Sequence, residues 1–174
     1  MHPDFADEGA ANHVRLCAEH GDPGVELFVF GRLAGENATG FPARQSRLAS
    51  ESIMRSHGLD PDRTVLARQS VAAINAGAFH NDVVCVGALD TLFFHELAFE
   101  DTDGVLDSIR KSAHGLFNLK SVMVPNVDVP IEDAIRSYLF NSQLLQMPGE
   151  DRLVLVAPTE TQEMDSTRLF CEKM

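Results

Sequence analysis

No run of apolar residues in this chain approaches the roughly 18 that a membrane span requires, so no membrane anchoring is expected. Basic residues are scarce: 14 Lys and Arg stand against 26 Asp and Glu, a formal net charge of -12. Without a cationic cluster to displace counterions, binding to a nucleic-acid backbone is not expected. The opening His2-Pro3-Asp4-Phe5-Ala6-Asp7-Glu8 has neither a basic region nor an apolar core, so no signal peptide is expected. Cysteine occurs three times (Cys17, Cys85, Cys171), an odd number without metal-site spacing, which fits a reduced cytoplasmic chain. Low-complexity segments and clear linkers are lacking too, so residues 1–174 are read as a single domain.

What is present is the composition of a globular protein, 44% apolar and 23% charged over 174 residues. The pattern centres on Phe79-His80-Asn81-Asp82-Val83-Val84-Cys85-Val86-Gly87. Val83–Val86 are β-formers closed by a glycine and predict a buried strand. If that strand reaches back to His80 and Asp82, both side chains share one face about 6–7 Å apart, with Asn81 pointing the other way. A titratable base beside a fixed negative charge is a plausible catalytic pair. A solvated strand end with two polar residues explains the same letters.

Asp7-Glu8 followed by small residues predicts a helix start, with Asp7 as cap. Leu27–Phe30 predicts a buried strand stopped by Gly31, and 33–41 a loop. A helix is predicted from about Ala43 to His57, with Leu48, Ala49, Ser52 and Ile53 on its buried face and Gly58 in the left-handed terminal position. Arg44 then falls in the first turn, where a cation is mismatched to the helix dipole, a hint of another task. Val65–Ala67 and Thr91–Phe94 predict strands, the second joined to the central strand through Ala88-Leu89-Asp90. Asp101–His114 predicts a helix burying Val105, Leu106, Ile109 and Ala113, and Val122–Val124 a strand. Ile131, Ala134, Ile135, Tyr138 and Leu139 form a helical stripe. Two last strands flank Met147-Pro148-Gly149-Glu150, and residues 159–174 predict a poorly packed, divergent tail. Short strands alternating with amphipathic helices make the fold class α/β.

Several stretches together resemble N-succinylarginine dihydrolase: Asp7–His13, Leu27–Arg32, Pro42-Ala43-Arg44-Gln45, Phe79–Val83 and Tyr138–Leu145. They follow the family's order and spacing from Asp7 to about Val156, covering the middle of the family pattern. The resemblance implies a pentein fold, a fan of five ββαβ units, of which this chain would be a part. It also implies hydrolysis of N2-succinylarginine to N2-succinylornithine, two ammonia and carbon dioxide in arginine catabolism, with no cofactor and no metal. By matching position, Glu8 and His80 become members of a catalytic triad, and Arg44 and Asp82 substrate contacts. Full-length members are implied to be homodimers.

The residue types suit that chemistry. A carboxylate such as Asp82 grips a planar guanidinium at two points, and Arg44 suits a carboxylate. His80 would protonate departing ammonia and then activate water, with Glu8 orienting it. The family's nucleophilic cysteine follows an Asn-Gly-Gly-Gly-Pro-Ala stretch that this sequence lacks, and no glycine loop precedes Cys171. No hydrolysis by this chain alone is therefore expected. Two further readings stay open: a non-catalytic relic or binding module for a guanidino or anionic ligand, and a metal-dependent hydrolase built on His80, Asp82, His95 and Glu8.

Overall fold

The computed structural model describes Phe5 and residues 12–33, 40–150 and 152–174. Glu8, the predicted helix start at Asp7 and most of the loop at 33–41 lie outside the described residues. The first unit opens with β1 (His13–Cys17) antiparallel to β2 (Gly24–Phe30), in which Leu27 to Phe30 are all buried, as the continuous apolar run predicts. The chain crosses through α1 (Arg47–Ser56) and returns as β3 (Thr64–Arg68), parallel to β2, giving the order β1-β2-β3. After α2 (Val71–Ala76) the pattern recurs. β4 (Cys85–Ala88) and β5 (Thr91–His95) pair antiparallel, α3 (Thr102–Ser112) crosses over, and β6 (Lys120–Val124) lies parallel to β5. α4 (Ile131–Arg136) leads to a third antiparallel pair, β7 (Gln143–Gln146) and β8 (Leu153–Val156). The chain ends in α5 (Glu160–Glu163) and α6 (Asp165–Lys173). β1 lies against β4 and β4 against β7, so the first strand of each unit faces that of the next.

α1, α2 and α3 start where a side chain replaces a missing backbone partner. Ser46 accepts the N–H of Ala49 at 3.1 Å ahead of α1, and Asp101 accepts that of Gly104 at 3.0 Å ahead of α3. α3 buries Val105, Leu106 and Ile109 in one core with Leu27, Val29, Val65 and Ala67, and α1 also contacts β2 and β3. A second core gathers Phe93, Val124, Val129, Ala134, Leu139 and Phe140. Phe93 and Phe140 stand 4.8 Å apart, and burying each stabilises the fold by roughly 1.5–3 kcal/mol.

Several expectations need correction. The predicted strand over Val83–Val86 begins only at Cys85, because residues 81–83 wind into a 3-10 turn, so His80 and Asp82 do not share a strand face. The helix predicted from Ala43 starts at Arg47, since Ser46 caps it, and Arg44 precedes the helix. Its buried residues are Ala49 and Ser50, while Leu48 is 39% exposed. The stripe at 131–139 is helical only to Arg136, and Tyr138 turns left-handed with φ 55° and stays exposed. The tail at 159–174 is helical and packed. Thr161 Oγ1 donates to Ser137 O at 3.0 Å, Thr167 Oγ1 donates to Thr161 O at 2.7 Å, and both threonines are buried. Gly58 does take the left-handed position, with φ 62°.

Candidate active site

Arg44 sits on a short segment pressed against the end of β2. The N–H of Gly31 donates to Gln45 O at 2.9 Å, and that of Arg47 to Arg32 O at 3.1 Å. A side chain at position 31 would place its Cβ 3.2 Å from the Arg44 backbone nitrogen, so this approach favours glycine. Gln45 points inward and donates from Nε2 to Ser50 Oγ at 3.1 Å, which anchors the segment from the buried side. Arg44 is half-buried, and its Nε–H donates to His80 Nε2 at 3.2 Å. Its guanidinium carbon also lies 5.9 Å from the centroid of the Phe79 ring, within cation–π range. Phe79 stacks on Phe41 at 6.3 Å and meets the His80 ring edge-on at 5.2 Å, giving the cluster an aromatic wall.

His80 occupies the cap position of the turn Asn81–Val83, and its side chain makes no capping bond. The N–H of Val83 donates to His80 O at 3.3 Å and that of Val84 to Asn81 O at 2.9 Å. Gln69, 1% exposed, donates from Nε2 to the His80 carbonyl at 3.3 Å, and Asn12 Oδ1 accepts the Asn81 N–H at 3.0 Å. Burial pushes the Asp82 carboxyl above the ordinary carboxylate value; a charge on His80 and its own backbone N–H pull the other way. Asp82 lines a cavity of about 380 Å³ with His13, Arg15, Asn81, Cys85 and Ser142 among its walls. Arg44 thus meets His80 directly, and Asp82 follows two residues on, in a cavity lined by neither of them. Glu8 lies outside the described residues.

A larger groove of about 790 Å³ runs between Lys120, Leu144, Arg152 and Cys171, but it contains none of these three side chains, so volume alone does not mark the site. The cysteines are poor nucleophiles where they stand. Cys17 and Cys85 are buried, and burial pushes the Cys85 thiol up to about 12, with the Asn81 carboxamide nearby opposing only weakly. A thiol of that kind is ionised on the order of one part in 10⁵ at neutral pH. Burial also raises the Cys171 thiol.

Among the described residues no three His, Cys, Asp or Glu side chains group to hold a metal ion. His95, a candidate ligand by sequence, is fully buried with both ring nitrogens engaged: Nε2 with Val129 O at 3.0 Å and Nδ1 with the Leu97 N–H at 3.1 Å. Asn12 and Gln69 escaped sequence reasoning as site residues. Asn12 falls within the Asp7–His13 stretch, but its partner is 69 positions away; Gln69 directly follows β3 and carries no local mark.

These features define an α/β protein of repeated strand–strand–helix–strand units carrying an arginine–histidine contact just ahead of the Asp82 turn. Comparison with known proteins resolves its family. The succinylarginine dihydrolase family model matches residues 1–174, and the chain belongs to that family. It is 59% identical over 162 residues to N-succinylarginine dihydrolase 2 of Caulobacter vibrioides, covering 92% of this chain and 36% of that protein. It is 46% identical over 174 residues to the N-succinylarginine dihydrolase of Idiomarina loihiensis, covering 98% of this chain and 38% of that one. The chain therefore spans little more than a third of the length of these relatives. No helix among the described residues is long and apolar enough to cross a membrane.

Proposed function

We propose that this chain carries one wall of the active site of a succinylarginine dihydrolase. The reaction is hydrolysis of N2-succinylarginine to N2-succinylornithine, two ammonia and carbon dioxide in cytoplasmic arginine catabolism. The observation that carries the reading is the contact of Arg44 Nε with His80 Nε2 at 3.2 Å, next to the Asp82 turn. Arg44 binds a carboxylate of the substrate, where its planar fork makes paired hydrogen bonds. Asp82 grips the guanidinium. His80 passes protons to leaving ammonia and from attacking water, and Glu8 orients it.

The two successive ββαβ units and the third strand pair support a partial pentein fan. The partner is a small molecule, with homodimers formed by full-length members. The nucleophile has no counterpart among Cys17, Cys85 and Cys171, so the chain alone binds substrate without turning it over. The high Cys85 thiol favours the second reading, a binding module for a guanidino or anionic ligand, for the isolated chain.

Titration calorimetry with N2-succinylarginine, run beside an ammonia-release assay, tests both. Saturable binding without ammonia is the expected result, with binding weakened at least about tenfold by Arg44→Ala or Asp82→Asn. No binding would remove Arg44 and Asp82 from their roles, and ammonia release would overturn the inactivity.

A further inference from the structure

The first N–H groups of a helical turn have no partner within the turn and need an acceptor from elsewhere. The turn Asn81–Val83 presents that requirement in buried form, since Asn81 has no exposed surface. His80 stands where a capping side chain would serve, but its ring faces Arg44. The acceptor for the Asn81 N–H is Asn12 Oδ1, on a residue just before β1 that is 2% exposed. β1 lies against β4, which follows the turn almost directly, so both backbones are held by the same strand contact.

Packing alone does not explain these carboxamides. Among the described residues, Asn12 Nδ2 and both side-chain polar atoms of Asn81 are buried without a hydrogen-bond partner, apart from the weak influence of Asn81 on the Cys85 thiol. An apolar pair would hold β1 against β4 without leaving polar atoms unpaired. What an apolar residue at 12 cannot do is accept the Asn81 N–H.

We propose that Asn12 is a positioning residue whose carboxamide oxygen stands in for the missing cap of the Asn81–Val83 turn, leaving the His80 ring to Arg44 and fixing Asp82 one residue beyond. The inference rests on the reading of His80 and Asp82 as site residues but requires no turnover. Asn12 touches no reacting group. It acts through the turn, and an aspartate at 12 would keep the acceptor oxygen that an alanine removes.

Nitrogen-15 NMR on the full chain tests it with two readouts: hydrogen exchange at the Asn81 amide, and the ring nitrogen signals of His80, which report its tautomer. With Asn12→Ala, Asn81 exchange should accelerate about tenfold or more, and the His80 ring signals should shift toward a mixed tautomer population. Phe93 and Phe94 in β5 should keep their protection. Asn12→Asp should restore the Asn81 amide and the His80 signals. An even loss of protection through β5, or unchanged Asn81 and His80 signals in Asn12→Ala, would overturn the proposal. If Asn12→Ala does not fold, the wild-type chain decides: an Asn81 amide exchanging as fast as surface amides refutes the capping bond, and a protected one restored by Asn12→Asp supports it. Neither readout uses ligand, so failure of succinylarginine binding is seen separately.

Discussion

The Nε–H of Arg44 points at Nε2 of His80 across 3.2 Å, so the permanently charged guanidinium occupies the lone pair of the ring. Nε2 must then accept, which places the ring proton on Nδ1. On the proposed role of Arg44, an anionic ligand would offer its guanidinium two charged oxygens, a stronger pairing than a neutral ring nitrogen. On that proposal, ligand capture by Arg44 would release His80 Nε2.

Arg44→Ala should weaken binding of N2-succinylarginine by about 10- to 100-fold, the range for a charge-assisted hydrogen bond. Arg44→Lys should recover only part, because an ammonium lacks the planar fork. Calorimetric titration of the three proteins checks the order; equal affinity for arginine and lysine at 44 would remove the two-point contact.

Asp82 predicts a trade between binding and stability. Burial raises its carboxyl above the ordinary 3.8, so the folded chain holds a proton more tightly than the unfolded chain does. Stability from this group is fully present below 3.8 and is lost as pH rises through the folded value. Asp82→Asn should therefore melt higher than wild type at neutral pH, with the gap closing on acidification, while ligand binding falls. Melting curves across pH check this, and a lower melting point at neutral pH would contradict it.

The units were legible wherever the determinant is local. Leu27–Phe30, the hairpin through Leu89 and the buried face of α3 follow from runs and spacing within a few residues. The turn at 81–83 was not. Val83 to Val86 are uniform β-formers, and what winds the chain before them is an acceptor on Asn12, 69 positions earlier. The start of α1 differs from the expectation because Ala43 and Arg44 are compatible with a helix, whereas the cap is Ser46. α2 is too short to show a helical period, though Ser70 caps it and Gly77 ends it with φ 110°. At the site, the resemblance names Arg44, His80 and Asp82, and the structure puts the first two in contact. The inward-facing Asn12 and Gln69 act on backbone groups far along the chain, which no spacing rule displays.

The C-terminal helices should count toward stability. Thr161 Oγ1 donates to Ser137 O in a buried setting, so Thr161→Val leaves that carbonyl without this donor and should cost about 1–3 kcal/mol. Phe170 stacks on Phe93 at 6.4 Å, and Phe170→Ala should lower stability by a similar amount or more. Urea unfolding checks both; unchanged midpoints would return residues 159–174 to the status of a loose tail.

His95 predicts the acid limb of stability. It is fully buried at the end of β5, where desolvation holds its pKa below the ordinary 6.5, while the Val129 carbonyl, Glu96 and Glu132 pull the other way. Between the folded value and 6.5 the unfolded chain binds a proton that the folded chain refuses. Stability should then decline as pH falls below 6.5, by up to about 1.4 kcal/mol per pH unit, and level off below the folded value. Above 6.5 the group contributes no slope. His95→Phe removes the titration but also the hydrogen bonds to Leu97 N–H and Val129 O, so it should be less stable at neutral pH by about 1–3 kcal/mol. Its stability should nevertheless fall less steeply on acidification. Urea midpoints for both proteins at several pH values between neutrality and about pH 5 decide the matter. A variant as steep as the wild type in that window would place the acid sensitivity elsewhere.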